Sequence, residues 1–289
     1  MGSKLIDSGF LKRLERLSLN IEKLMNVGGG GIRKSGAKGS SVEFSDFREY
    51  SLGDDIRRID WNAYGRFDRL FVKLFMEERE AFINVFLDCS KSMDFDEKAD
   101  LALELAAAFS YLSLINMDRL CLNFMQSENL KVSEIFGGRG QFNRVVSFLE
   151  KADFSGNTNL DIAIKKKKFI GRGLAIIISD FFTQGNFEEI LKFLVFNKQE
   201  IVLIHILSPE EQSPKLGGSV KLKDAETKEE INVELNSTTL DKYERVMKAF
   251  TGSINDKCKK YGGLYVNILS NATMEKVLFE DLIKNRIIK

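Results

Sequence analysis

The sequence predicts an α/β fold: a doubly wound, mostly parallel sheet with helices on both faces. Three observations carry that expectation. FINVFLD at residues 82–88 and GLAIIISD at 173–180 are nearly unbroken apolar runs, as strands buried on both faces require. Helical stretches alternate with strand-like runs from residue 88 to the end, the pattern of repeated βα units. Only Pro209 and Pro214 interrupt the chain, both in one loop.

The elements follow in order. Leu5, Leu11, Leu14, Leu17, Ile21 and Leu24 lie mostly three or four apart, which predicts an amphipathic helix over residues 5–25. NVGGGGIRKSGAKGSS then reads as a linker rather than a phosphate loop, because it follows a helix and precedes a strand. Residues 1–41 thus form an N-terminal helix and linker, and residues 42–80 a strand-bearing segment. Residues 81–289 form the α/β domain, with a β-hairpin insertion near 219–235. Within it, residues 96–115 are rich in Ala and Leu and predict a helix. DRLCLNFM and EIVLIHIL read as strands, NFEEILKFLVF as a helix, and NLDIAIKKKKF as helical. SVKLKDAETKEEINVEL alternates about DAETKE as a hairpin does. A long helix from Thr239, the strand GLYVNIL and a closing helix complete the chain.

Composition narrows the function. With 44% hydrophobic and 29% charged residues and a net charge of +1, the 289-residue chain has no global field toward nucleic acid or a membrane surface. Cys89, Cys121 and Cys258 are far apart and odd in number, which fits a reducing compartment and no disulfide framework. The charged start has no signal-peptide core, and no apolar run spans a bilayer, so a cytoplasmic protein is expected.

The chemistry gathers at strand ends. In an open α/β sheet, ligands bind beyond the carboxyl ends of the strands. Two buried strands end on Asp88 and Asp180, Ser90 and Ser92 lie just past Asp88, and FSGNTNLDIAI offers Thr158 where a helix begins. Two carboxylates and three hydroxyls are hard oxygen donors, suited to Mg²⁺ or Mn²⁺. None of the five is a His or Cys, so zinc is not expected.

DCSKSM at 88–93 resembles the DxSxS motif of von Willebrand factor A domains. Their metal-ion-dependent adhesion site (MIDAS) adds a threonine from one later loop and an aspartate from another, where Thr158 and Asp180 stand here. FSDFREYSLGDDIRRIDWNAYGRFDRLFVKLFMEERE at 44–80 resembles the signature of the DUF58 family. The shared positions are Arg48, Tyr50, Gly53, Asp54, Asp55, Arg57, Ile59, Asp60 and Trp61. Gly65–Arg66 departs from the Ala-Arg of that pattern and leaves the metal set untouched. The resemblance, over residues 36–285, implies a von Willebrand A-like domain working beside a MoxR-type AAA+ ATPase in chaperone-like maturation of protein complexes. It implies a non-enzymatic, metal-dependent protein-binding module that takes an acidic residue of a partner. Two alternatives stay open: a Mg²⁺-dependent phosphate-ester hydrolase and a metal-free scaffold. Asp54, Asp55, Arg57, Arg58 and Trp61 offer a candidate docking face. Internal ion pairs tying the segment to the α/β domain are the blander account, with Trp61 a packing anchor. His205, inside a strand, reads as a core histidine. Lys165–Lys168 reads as a solvated helix end, and Asp94 and Asp96 as favouring the next helix N-terminus.

Overall fold

The computed structural model describes residues 8–20, 43–76, 81–183, 185–214, 218–223 and 230–289. They fall in two compact units, Met1–Asn26 with Ala81–Lys289, and Val27–Glu80. The glycine run at 28–31 lies outside the described residues.

Helix α1 spans Ser8–Leu14, and residues 15–20 of the helix expected over 5–25 are not helical; 5–7 and 21–25 lie outside the described residues. Its Leu14 is fully buried, and Phe10 and Leu19 join the main core of the larger unit. Beyond a turn at Glu15–Arg16 the chain is extended. Ser18 and Lys289 exchange both backbone hydrogen bonds at 2.9 Å, and Asn20 N–H donates to the Ile287 carbonyl. This tertiary ladder replaces the helical bonds, so apolar spacing alone overstated the helix. In the smaller unit, β1 (Glu43–Glu49) and β2 (Phe71–Met76) pair antiparallel, and α2 (Trp61–Phe67) lies between them in sequence.

The larger unit continues with β3 (Phe82–Asp88), α3 (Lys98–Ile115), β4 (Arg119–Gln126), β5 (Asn129–Val132), β6 (Phe136–Gly137), α4 (Phe142–Leu149) and α5 (Leu160–Lys165). It proceeds through β7 (Gly173–Ser179), α6 (Phe187–Phe196), β8 (Gln199–Leu207), α7 (Pro209–Gln212) and a two-stranded hairpin of β9 (Gly218–Lys223) and β10 (Glu230–Leu235). It closes with α8 (Ser237–Lys260), β11 (Leu264–Leu269) and a helical segment from Met274 that contains one π-helical turn, Val277–Asp281.

The sheet runs β11-β8-β7-β3-β4-β5, with β6 also on β4. The pairs from β11 to β4 are parallel, and β5 and β6 are antiparallel additions to β4. This is the doubly wound, mostly parallel sheet the sequence predicts. Alternate strand residues feed two cores because successive side chains point to opposite faces. Ile83, Val85, Leu174, Ile176, Ile178, Val202 and Ile204 enter one core; Phe86, Ala175, Ile177, Ile201 and Leu203 enter the other. A strand with no solvent face has no reason to alternate in polarity, and every residue of β7 is buried. Helix α3 is apolar nearly all round for the same reason, from Leu101 through Leu114.

Candidate metal centre at the strand ends

Strand order reverses at β3. The chain leaves it for β4 on one side and returns to β7 on the other, which makes the β3/β7 boundary a topological switch point. The register Leu87↔Ile178 brings the two carboxyl ends together, with Asp88 on one and Asp180 one residue past the other.

Local bonding sets each donor. Cys89 N–H still pairs with the Met125 carbonyl, so the chain remains in the sheet one residue past Asp88. Asp88 then turns it: one carboxylate oxygen accepts from Ser90 N–H at 3.0 Å and the other from Ser179 Oγ–H at 2.6 Å. The hydroxyls of Ser90 and Ser92 meet at 3.0 Å. The loop carrying Thr158 is bonded to this turn at two points, Ser155 N–H to the Cys89 carbonyl and Lys91 N–H to the Gly156 carbonyl. Gly156 has φ +72, a conformation an L side chain rarely adopts. Thr158 is buried, its carbonyl accepts from Thr183 Oγ–H, and its own hydroxyl has no partner.

Asp88 is 3% exposed and Asp180 fully buried. Burial pushes the Asp88 carboxyl up to about 6, and the Asp180 charge adds to the rise, against hydrogen bonds from Ser179 and Ser90. Two carboxylates close together in a dry site favour a cation. An orphaned buried hydroxyl, two paired serine hydroxyls and a strained carboxylate fit a hard divalent ion. Asp88, Ser90, Ser92 and Thr158 are therefore the residues that would hold it. Among the described residues no group of three or more His, Cys, Asp or Glu side chains is placed to hold a metal, so the set depends on its hydroxyls.

Asp180 stands differently from the other four. One of its oxygens accepts from Phe182 N–H at 3.1 Å, and the other from Lys98 Nζ at 2.9 Å. Lys98 is fully buried and also holds Glu211 at 2.6 Å. Sequence reasoning missed Lys98, Glu211 and Ser179. One signal for Lys98 was present: a lysine in the first turn of a helix, where the dipole favours acids. Backbone strain brackets the site. Asp96 and Glu97 before α3, and Phe181 directly after Asp180, have φ of 48, 62 and 57. Such conformations persist where surrounding structure over-determines them.

The remaining candidates fall elsewhere. Asp94 pairs with Lys91 within a 3₁₀ turn. His205 is fully buried in β8, with Nδ1 2.8 Å from the Tyr265 hydroxyl and the rings of Phe181 and Phe250 edge-on. Burial pushes its pKa down to about 4, against the pull of Asp180. In the lysine run, Lys165 pairs with Asp161 and Glu189, while Lys167 is buried with Nζ 3.0 Å from Cys121 Sγ, a correction to a wholly solvated helix end.

In the smaller unit the charged cluster is used locally. Asp54 accepts from Arg48 and from Ser51 N–H; Asp55 pairs with Arg57; Asp60 caps α2 through Asn62 and Ala63 N–H and pairs with Lys73. Arg58 is exposed. Trp61 corrects the packing-anchor expectation: it is 65% exposed and edge-on to Tyr64 at 6.2 Å. Helix α2 buries none of its residues, and its Phe67 lies edge-on to Phe71 of β2.

The fold and these strand ends define a doubly wound α/β protein with an oxygen-donor cluster at its switch point. The chain belongs to the family described as "Protein of unknown function DUF58", whose model matches residues 46–250. The uncharacterized proteins Mb1516 of Mycobacterium bovis and Rv1480 of Mycobacterium tuberculosis are each 30% identical over 198 residues, 65% of this chain and 62% of theirs. The match thus spans less than two thirds of those relatives' length. Among solved structures, BatB from Bacteroides thetaiotaomicron aligns over 71% of this chain and 98% of its own, at 16% identity and TM-score 0.44. The VWA domain of SpRpn10 aligns over 68% and 92%, at 13% identity and TM-score 0.40. At those scores the site stands on this chain's own residues. Among the described residues no helix is long and apolar enough to cross a membrane.

Proposed function

We propose that this protein is a non-enzymatic, metal-dependent protein-binding module, an adaptor or co-chaperone working in the cytoplasm with a MoxR-type AAA+ ATPase. The observation that carries this reading is the buried Thr158 hydroxyl without a partner, on a loop bonded to the turn that presents Asp88, Ser90 and Ser92. A bound Mg²⁺ or Mn²⁺ would supply a coordination position open to a carboxylate of the partner. Asp88 provides the charge that holds the cation. The neutral serine and threonine hydroxyls leave it electron-poor, so an incoming carboxylate is a strong further ligand. Two features support binding over hydrolysis. His205 is enclosed by aromatic rings, and Asp180 is tied to Lys98, so neither is offered as a general base.

Size-exclusion and equilibrium binding with a purified MoxR-type ATPase test this reading. Association is expected in Mg²⁺, to be lost in EDTA and in Asp88→Ala. Binding of equal strength in EDTA and in that variant refutes it.

A further inference from the structure

In the reading just given, the buried ammonium of Lys98 serves only to withhold Asp180 as a base. Its side chain is fully enclosed, pairs with Asp180 at 2.9 Å, itself 1% exposed, and with Glu211 at 2.6 Å, 20% exposed. Phe95 and Phe182 lie over it, their ring centroids 6.0 and 5.8 Å from Nζ. Glu211 is fixed in its turn. It forms a reciprocal capping box with Ser208, and its carbonyl accepts from the Tyr243 hydroxyl of α8 at 2.6 Å. The ammonium is thus held by residues 82 and 113 positions away. A buried cation persists where its partners over-determine it. Here one of those partners is the second carboxylate of the candidate metal set.

We infer that Lys98 is a resident cation that competes with the divalent ion for Asp180, so that metal affinity is set by how Lys98 is divided between Asp180 and Glu211. This rests on the metal-dependent reading above. Lys98 is a positioning residue: it occupies an Asp180 oxygen and so would leave Asp88 and the three hydroxyls to hold the ion. Glu211 draws the ammonium outward. Removing Lys98 frees an Asp180 oxygen for the metal, whereas neutralising Glu211 leaves Lys98 to Asp180 alone. The two changes move metal affinity in opposite directions. Loss of packing or of stability would move both the same way.

The experiment titrates Mn²⁺ into the full chain and counts free ion by electron paramagnetic resonance, for wild type, Lys98→Met and Glu211→Gln. Circular dichroism checks folding. Lys98→Met is expected to bind Mn²⁺ about tenfold more tightly, the effect of removing one close like charge, and Glu211→Gln more weakly than wild type. Tighter binding by Lys98→Met where wild type shows none sustains the inference while refuting metal dependence of the native chain. Equal or weaker binding by Lys98→Met, including none in either protein, overturns the inference. If wild type binds in that case, the reading above survives. If Lys98→Met does not fold, Glu211→Gln decides alone: unchanged or tighter binding overturns the inference.

Discussion

Among single residues, Thr158 gives the sharpest test. A buried hydroxyl without a hydrogen bond costs about 1–3 kcal/mol of desolvation that nothing returns, and Thr158 Oγ1 is in that state. Valine has nearly the same shape and no such group. In EDTA, Thr158→Val is expected to melt higher than wild type, by about 1 kcal/mol in denaturant titration. Its further stabilisation by Mn²⁺ is expected to shrink or vanish, since one donor is gone. A variant less stable than wild type in EDTA would mean that the hydroxyl is satisfied in the protein. Thr158 was legible in the sequence because the DxSxS pattern fixes an order of residue types. Lys98 was not legible, because its partners are brought to it only by the fold of β7 and the turn after β8. A lysine at a helix start carries no trace of which distant carboxylate it will meet.

The strands were the readable elements and their neighbours the harder ones. β3, β7 and β8 announce themselves as nearly unbroken apolar runs, because burial on both faces leaves few polar positions. The helix expected over 5–25 gave way after Leu14 because Ser18 and Asn20 found partners in the C-terminal residues, more than 260 positions on. Trp61 misled because the short α2 buries none of its residues, and the ring meets Tyr64 one turn on, edge-on. Close approach between strands makes its own prediction at Gly173, which starts β7 opposite Phe82. A Cβ there would stand 2.3 Å from the Phe82 carbonyl oxygen and 2.7 Å from Gln199 Oε1. Gln199 is itself buried and donates to the Gly171 and Asn197 carbonyls, and the strand backbone is fixed by its ladder. Gly173→Ala is expected to lose at least about 1–3 kcal/mol, as overpacked sites do. Urea titration measures it, and a loss below about 0.5 kcal/mol, the range of surface substitutions, would show that β3 and β7 separate more easily than the register requires.

For the whole molecule, the switch point and the core behind it leave opposite marks on stability against pH. Asp88 is pushed up to about 6 in the folded protein, above its ordinary 3.8. Between those values the folded state keeps a proton that the unfolded chain has released. Its contribution therefore falls as pH rises from about 4 to 6, and the full penalty stands above 6. His205 is pushed down to about 4 from 6.5. Between those values the unfolded chain takes up the proton, so its contribution rises with pH over nearly the same window. Each group alone would give a slope approaching 1.4 kcal/mol per pH unit; together they largely offset. Asp88→Asn removes the falling slope and keeps an acceptor for Ser90 N–H. In EDTA, the variant is expected to exceed wild type by on the order of 2 kcal/mol at pH 7.5, a gain that dwindles to little at pH 4. Its own stability climbs with pH across the window where the wild-type curve is flatter. Denaturant titrations of both proteins at pH 4, 5, 6 and 7.5 measure the difference. A difference independent of pH would mean that Asp88 keeps an ordinary carboxylate's affinity for protons. The low-dielectric strand ends, with Asp180 beside it, would then impose no strain for a cation to relieve.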